Sequence, residues 1–183
     1  MSRSLSGSVK TPPFPWLYPY LEDGPRLDET IHRPMVTAEL VGPAGEVSGG
    51  VYALVDSGCH HVLVDSSLAA TTGIDHQAST RVLDLGLGGT TVKVRFADAR
   101  MRLILPGGTD DQFCEWETEV GFIDLWRPTF PILLGQRGFL DQFTVTMSNF
   151  ARQTAVEALE EFDRRYGVPA VEPWRPGYVS PQS

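Results

Sequence analysis

The sequence predicts an all-β domain with one helix added near its C-terminal end. Its 18 glycines and 14 prolines, spread over 183 residues, imply many turns and few long helices. Apolar and polar residues alternate in short runs, as in Val92, Val94 and Phe96 against Thr91, Lys93 and Arg95. A helical pattern of several turns occurs once, between Arg152 and Tyr166.

Residues 1–32 read as an N-terminal extension rich in proline and aromatics. The run Pro12-Pro13-Phe14-Pro15-Trp16-Leu17-Tyr18-Pro19-Tyr20 lacks many backbone donors, so it is expected to be extended and to lie against the domain or a partner. A domain over 33–150 follows. Met35 to Val41 and Val47 to Val55 form a hairpin around the turn Gly42-Pro43-Ala44-Gly45, and the second arm runs into Asp56-Ser57-Gly58. Val62 to Asp65 is a short apolar strand, and Ser66 to Thr72 a short helix stopped by Gly73. Thr80 to Leu85 and Thr90 to Phe96 flank the tip Gly86-Leu87-Gly88-Gly89. Met101 to Leu105 and Glu117 to Ile123 are strands, Pro131 to Gly135 is an apolar run, Arg137 to Gln142 a helical turn, and Phe143 to Met147 a closing strand. Residues 151–183 hold the helix and a proline-rich tail. Leu159, Phe162 and Tyr166 share one helical face, Arg164-Arg165 lie at its end, and Gly167 and Pro169 stop it.

Composition excludes several classes of function. A net charge of −8 with no basic cluster disfavours nucleic acid. No apolar run approaches the roughly 20 residues that span a bilayer, and Met1 to Lys10 lacks a secretory leader, so a soluble, cytoplasmic protein is expected. The two cysteines, Cys59 and Cys114, make no disulfide framework.

The chemistry centres on Asp56. Carboxylate-driven hydrolysis needs two carboxyl groups sharing one proton, one acting as base on water and the other as acid on the carbonyl oxygen. Asp56 leaves an apolar strand, Ser57 supplies a hydroxyl, and Gly58 leaves space for a sharp turn. Asp-Ser-Gly alone is also ordinary turn chemistry.

Three segments in order change that reading. Ala53-Leu54-Val55-Asp56-Ser57-Gly58-Cys59-His60-His61-Val62-Leu63-Val64, then Leu85-Gly86-Leu87-Gly88-Gly89-Thr90-Thr91-Val92, then Pro131-Ile132-Leu133-Leu134-Gly135-Gln136-Arg137-Gly138 together resemble the retropepsins, single-domain aspartic proteases typified by retroviral proteases. The resemblance implies a closed β-barrel like one pepsin lobe, with Asp56, Ser57 and Gly58 as the catalytic loop. It implies that Gly86, Leu87, Gly88 and Gly89 form the tip of a flap over a peptide or protein substrate. By position, Val62, Val82, Leu87 and Ile132 are candidates to line the cleft. Only one Asp-Ser-Gly is present, and Val64-Asp65-Ser66-Ser67 lacks the glycine, so the second carboxylate is expected from a homodimer. No cofactor is implied. Cys59 stands where the family usually has alanine, His60-His61 where it often has acidic or polar residues, and Gln136-Arg137-Gly138 departs from its pattern.

Other chemistries are weaker. Cys59, His60, His61 and Asp65 include possible metal ligands, but adjacent histidines on a strand would face opposite ways, so no metal site is expected. A cysteine nucleophile has no orienting third residue or oxyanion hole in view. The rival to an endopeptidase is a catalytically silent dimer of the same fold that binds peptides or proteins.

Overall fold

The computed structural model describes residues 6–7, 14–26, 29–126 and 129–167. The tail beyond Val171 and the start of the proline run lie outside them. The strands are β1 (Ser6–Gly7), β2 (Trp16–Pro19), β3 (Leu21–Arg26), β4 (Glu29–Arg33), β5 (Met35–Val41), β6 (Val51–Val55), β7 (Val62–Asp65), β8 (Val82–Leu87), β9 (Thr90–Ile104), β10 (Phe113–Ile123), β11 (Ile132–Leu134), β12 (Phe143–Ser148) and β13 (Gln153–Ala158). The helices are α1 (Ser67–Thr72) and α2 (Glu160–Tyr166).

Six strands close a barrel in the order β10-β7-β11-β6-β5-β9, and β9 returns to pair with β10. This is the all-β, closed-barrel class that the sequence predicts. The 15-residue β9 serves both the barrel and a projecting hairpin: Thr90 to Arg95 pair with β8, while Val94 to Ile104 pair with β10. Met101 to Leu105 and Glu117 to Ile123, expected as short separate strands, correspond to the ends of longer ones, the first stopping at Ile104.

The run Val62-Leu63-Val64 and the run Ile132-Leu133-Leu134 are apolar on both faces because both faces are covered. Val62, Val64, Ile132 and Leu134 face the main core with Phe122, Phe139 and Phe143. Leu63 and Leu133 face a second cluster with Val94, Phe96 and Ile123, flanked by Cys59, Leu85, Leu87, Val92, Trp126 and Phe130. Two layers of side chains are thus packed against one short parallel and antiparallel set of strands.

The C-terminal segment differs from expectation. The helix predicted over Arg152–Tyr166 begins only at Glu160, and Gln153–Ala158 is instead the middle strand of a sheet ordered β12-β13-β2. Thr154 and Val156 are fully buried there. Their β-branched side chains and two flanking strands outweigh the helical pattern, whose acidic and basic residues belong to the short α2. Leu159, Phe162 and Tyr166 remain largely exposed rather than forming a buried stripe. Arg137 to Gln142, expected as a helical turn, forms hydrogen-bonded turns and no assigned helix.

The partner of β13 is the aromatic N-terminal run. Trp16 and Tyr18 point inward at 2% and 3% exposure, Leu17 and Pro19 outward. The Tyr18 hydroxyl donates to the Ile104 carbonyl at 2.7 Å, and the Phe14 ring lies 4.7 Å from that of Trp16. The run is therefore an edge strand, the one sheet position in which Pro19 costs no ladder hydrogen bond. Trp16→Ala is expected to destabilise the protein by about 3–5 kcal/mol, read as a shifted midpoint in chemical denaturation. A change under about 1 kcal/mol would mean the segment is not part of the core.

Candidate active site

β6 is paired on one side with β5 and on the other, in parallel, with β11. It delivers Asp56 to the end of the barrel. The Asp56 N–H donates to the Leu134 carbonyl at 3.0 Å, continuing the β6–β11 ladder by one residue. The chain then turns. The Gly58 N–H donates to Asp56 Oδ1 at 2.8 Å, and the Cys59 N–H to the Asp56 carbonyl at 3.2 Å. Asp56 is half-buried, while Ser57 and Gly58 are exposed. The carboxylate therefore has one oxygen held by the loop and is partly open to solvent.

A second segment fixes this loop from behind. The N–H of Gln136 donates to the Cys59 carbonyl at 2.9 Å, that of Arg137 to the His60 carbonyl at 2.9 Å, and that of Val62 to the Arg137 carbonyl at 3.2 Å. The Gln136 side chain adds Nε2 to the Ser57 carbonyl at 2.8 Å. Such close passage requires glycine at 135: a Cβ there would lie 2.3 Å from the His61 carbonyl oxygen and 2.7 Å from that of Cys59. Gln136 was legible in the sequence only as a departure from the family pattern. Its role as a loop tether follows from geometry.

The glycine-tipped hairpin is β8–β9. Its turn is Gly88-Gly89, with φ of 57° and 82°, the positive values a type I′ turn needs at both positions. Gly86 and Leu87, assigned to the tip from sequence, end β8 and pair with Thr91 and Thr90. The inner side chains Leu85, Leu87 and Val92 pack on the same cluster as Cys59, Trp126 and Phe130. The hairpin, the Asp56 loop and the loop before β11 thus share one apolar surface. Of the four residues proposed to line a cleft, Leu87 belongs to this surface and Val82 is exposed. Val62 and Ile132 do not qualify, since both are fully buried in the barrel core. Trp126 and Phe130, which the sequence did not single out, pack on the second cluster beside Cys59, Leu85 and Leu87.

That loop is pinned at both ends. Asp124 lies 3.4 Å from Arg95 and 3.5 Å from His76, and a hydrogen bond with Ser66 holds its carboxyl below the usual range, helped by His76 and Arg95. At the other end Thr129 donates to the buried carboxylate of Asp23 on β3, which is also paired with Arg33 of β4. The Arg33 guanidinium in turn sits 5.9 Å from the Phe130 ring. Other aspartates have structural partners as well. Asp65 Oδ1 accepts from the Ser67 N–H at the start of α1, and Asp141 Oδ1 from the Gly138 N–H at 2.8 Å.

Two side chains after the motif, Cys59 and His61, have shifted titration. Burial pushes the Cys59 thiol up, and the adjacent Asp56 charge adds to that. Its Sγ donates to the His61 carbonyl at 3.2 Å. A thiol kept protonated in this way is a poor nucleophile. His60 and His61 were expected to face opposite ways on a strand. They lie instead at a bend and an isolated bridge, with ring centroids 4.6 Å apart. Among the described residues no group of three or more His, Cys, Asp or Glu is placed to hold a metal. No helix among them is long and apolar enough to cross a membrane.

No protein-family model matches the chain, and no curated protein matches it. Among solved structures it is similar to EIAV protease complexed with the inhibitor HBY-793, at 13% identity and a TM-score of 0.32, over 62% of this chain and 88% of that one. It is also similar to the retroviral protease-like domain of Ddi1 from Leishmania major, at 13% identity and a TM-score of 0.37, over 71% of this chain and 98% of that one. Both are distant.

Two outcomes follow from the loop geometry. Gly135→Ala forces a Cβ against the His61 carbonyl, with an expected loss of about 1–3 kcal/mol in thermal or denaturant unfolding. His61 is 7% exposed, between His60 and Phe96, with Arg137 and Arg81 nearby, and desolvation first and those charges second lower its pKa from 6.5 to about 4. Above pH 6.5 both folded and unfolded chains carry it neutral. Below that the unfolded chain takes up a proton that the folded one refuses until about pH 4. Stability contributed by neutral His61 is therefore lost as pH falls through this window, by at most about 3 kcal/mol. His61→Leu should flatten the stability profile there relative to wild type; parallel profiles for the two proteins would contradict the assignment.

Proposed function

We propose that this chain is one half of an aspartic endopeptidase. In this reading Asp56 and Asp56 of the partner subunit form a carboxyl dyad around one water. Two carboxyl groups a few ångströms apart cannot both ionise, so one proton stays between them and the apparent pKa values belong to the pair. The ionised member takes a proton from the water as it attacks the scissile carbonyl carbon, and the protonated member donates to the carbonyl oxygen. The tetrahedral intermediate then collapses, with proton transfer to the leaving amine. Ser57 and Gly58 complete the loop, and the Gly58 N–H fixes the orientation of the carboxylate.

The observation that carries the proposal is the setting of Asp56. It ends a buried barrel strand, its Oδ1 is oriented by the Gly58 N–H at 2.8 Å, and its loop is tied to residues 134–137. Gly86, Leu87, Gly88 and Gly89 supply a mobile cover in this reading, with backbone groups that can pair with an extended peptide. The aromatic and aliphatic surface beneath supports recognition of apolar peptide side chains. The remaining described aspartates that carry a Ser, Gly or Gln neighbour are engaged in local structure, which supports a second carboxylate from another copy.

Asp56→Asn should leave fold and association unchanged while lowering peptide cleavage by about 10²–10⁴-fold. Cleavage is read with a peptide library between about pH 4 and pH 7, with and without a statine-type inhibitor. A wild-type protein that cuts no peptide and ignores the inhibitor, yet binds peptides as a dimer, would support the silent binding module instead.

A further inference from the structure

The hairpin β3–β4 stands apart from both larger sheets: among the described residues its strands pair only with each other. A two-stranded hairpin is marginal by itself, so its place on the domain depends on anchors outside its own ladder. One anchor is at its root. β4 runs through Pro34 into β5, and the Val55 N–H donates to the Pro34 carbonyl at 3.0 Å. Arg33 therefore lies one residue beyond a bond to the residue before Asp56. The other anchor is the carboxylate of Asp23, and each of its oxygens serves a different segment. Oδ2 accepts from Arg33 Nε within the hairpin, and Oδ1 accepts from the Thr129 hydroxyl, 106 positions further along the chain. Asp23 is buried. A buried carboxylate is costly unless its oxygens are paired, so the two bonds fix these segments relative to one another.

Thr129 carries this constraint to the candidate site. It precedes Phe130, whose ring stands edge-on to that of Trp126 at 5.9 Å. Both rings pack on the second cluster with Cys59, Leu85 and Leu87. Arg33, the other partner of Asp23, sets its guanidinium 5.9 Å from the Phe130 ring. Phe130 is thus held from two directions by one carboxylate, through Thr129 along the chain and through Arg33 against the ring. Anchoring the hairpin alone would call for a contact with any nearby surface. Here both partners of Asp23 converge on one side chain beside the site.

We propose that Asp23 is a positioning residue of the site: through Thr129 and Arg33 it holds Phe130, and with it Trp126, as a fixed apolar wall for a large apolar side chain of the peptide. The inference deepens the endopeptidase reading and rests on it. The bonds that orient the Asp56 carboxylate and its loop come from Gly58 and from residues 134–137, and none of them runs through Asp23. The clamp therefore acts on substrate binding and leaves the chemical step alone. It also gives the N-terminal hairpin a part in recognition, at a distance of 106 positions from the residue it holds.

The test uses the full chain and breaks the link at Thr129, which leaves the Asp23–Arg33 pair in place. Thr129→Val removes the donor at nearly constant volume. It is expected to raise KM about tenfold for a peptide with Phe or Leu at the cleaved bond, the loss that one hydrogen bond to a charged group carries. The kcat should stay within about twofold, because the contacts at Asp56 are unchanged. Thr129→Ser keeps the hydroxyl and should restore KM. Trp126 supplies a readout independent of cleavage: its emission, taken as the difference from Trp126→Phe, should become more open to acrylamide quenching in Thr129→Val. A lowered unfolding midpoint with KM and Trp126 quenching unchanged would make Asp23 an anchor of the fold alone, and overturns the proposal. An equal rise of KM in Thr129→Ser, or a loss confined to kcat, overturns it too. If Thr129→Val does not fold, Asp23→Asn replaces it: the charge paired with Arg33 is lost, the same changes in KM and quenching are expected, and their absence overturns the proposal. A wild type that cleaves no peptide removes the peptidase reading and leaves the clamp to be decided by Trp126 quenching, where an unchanged Thr129→Val overturns it, so the two failures are distinct.

Discussion

The passage of residues 134–137 behind the Asp56 loop is the contact on which the rest depends. Backbone groups of Leu134, Gln136 and Arg137 bond to Asp56, Cys59, His60 and Val62, and one side-chain amide reaches Ser57. Neutral hydrogen bonds of this kind contribute only about 1 kcal/mol each. Their value lies in mutual consistency: two segments separated by some 80 residues are zipped so closely that only glycine fits at 135. The carboxylate of Asp56 is positioned by a scaffold of strands rather than by the loop alone.

The same crossing explains why the runs Val62–Val64 and Ile132–Leu134 are apolar on every side chain. One face of β7 and β11 fills the barrel, and the other supports the second cluster, on which the β8–β9 hairpin and the loop before β11 rest. The barrel core and the surface flanking Asp56 are therefore opposite faces of the same strands. A change at Leu63 or Leu133 would be felt at the hairpin, whereas one at Val62 or Ile132 would be felt in the barrel.

Around the carboxylate the protein keeps other reactive groups quiet. Cys59 is held as a thiol by burial, and His61 as a neutral ring, wedged against His60 and Phe96 near two arginines. Asp65 caps the start of α1, Asp124 pairs with Arg95, and a buried aspartate, Asp23, links the N-terminal hairpin to the loop beside the apolar surface. These ties are of the kind that costs more to break than it contributes when intact, because a lone buried carboxylate is left behind.

Much of this was legible in the residues themselves. Turn chemistry marked the Gly42–Gly45 and Gly88–Gly89 reversals, alternation marked β9, and Gly73, in the left-handed region, ended α1 where expected. These signals are local, because backbone sterics and side-chain periodicity act within a few residues. Asp56, Ser57 and Gly58 could be singled out for the same reason, as could the absence of a second Asp-Ser-Gly. What the chain could not show locally was partnership across long separations. The pairing of Gln153–Ala158 with the aromatic N-terminal strand turned a helical pattern into a central strand. Burial put Val62 and Ile132 in the barrel core rather than along a cleft, and packed Trp126 and Phe130 on the second cluster. Local chemistry thus determined the motif and most of the strands. Only tertiary packing decided which faces were covered, because burial depends on elements that meet in space from distant parts of the chain.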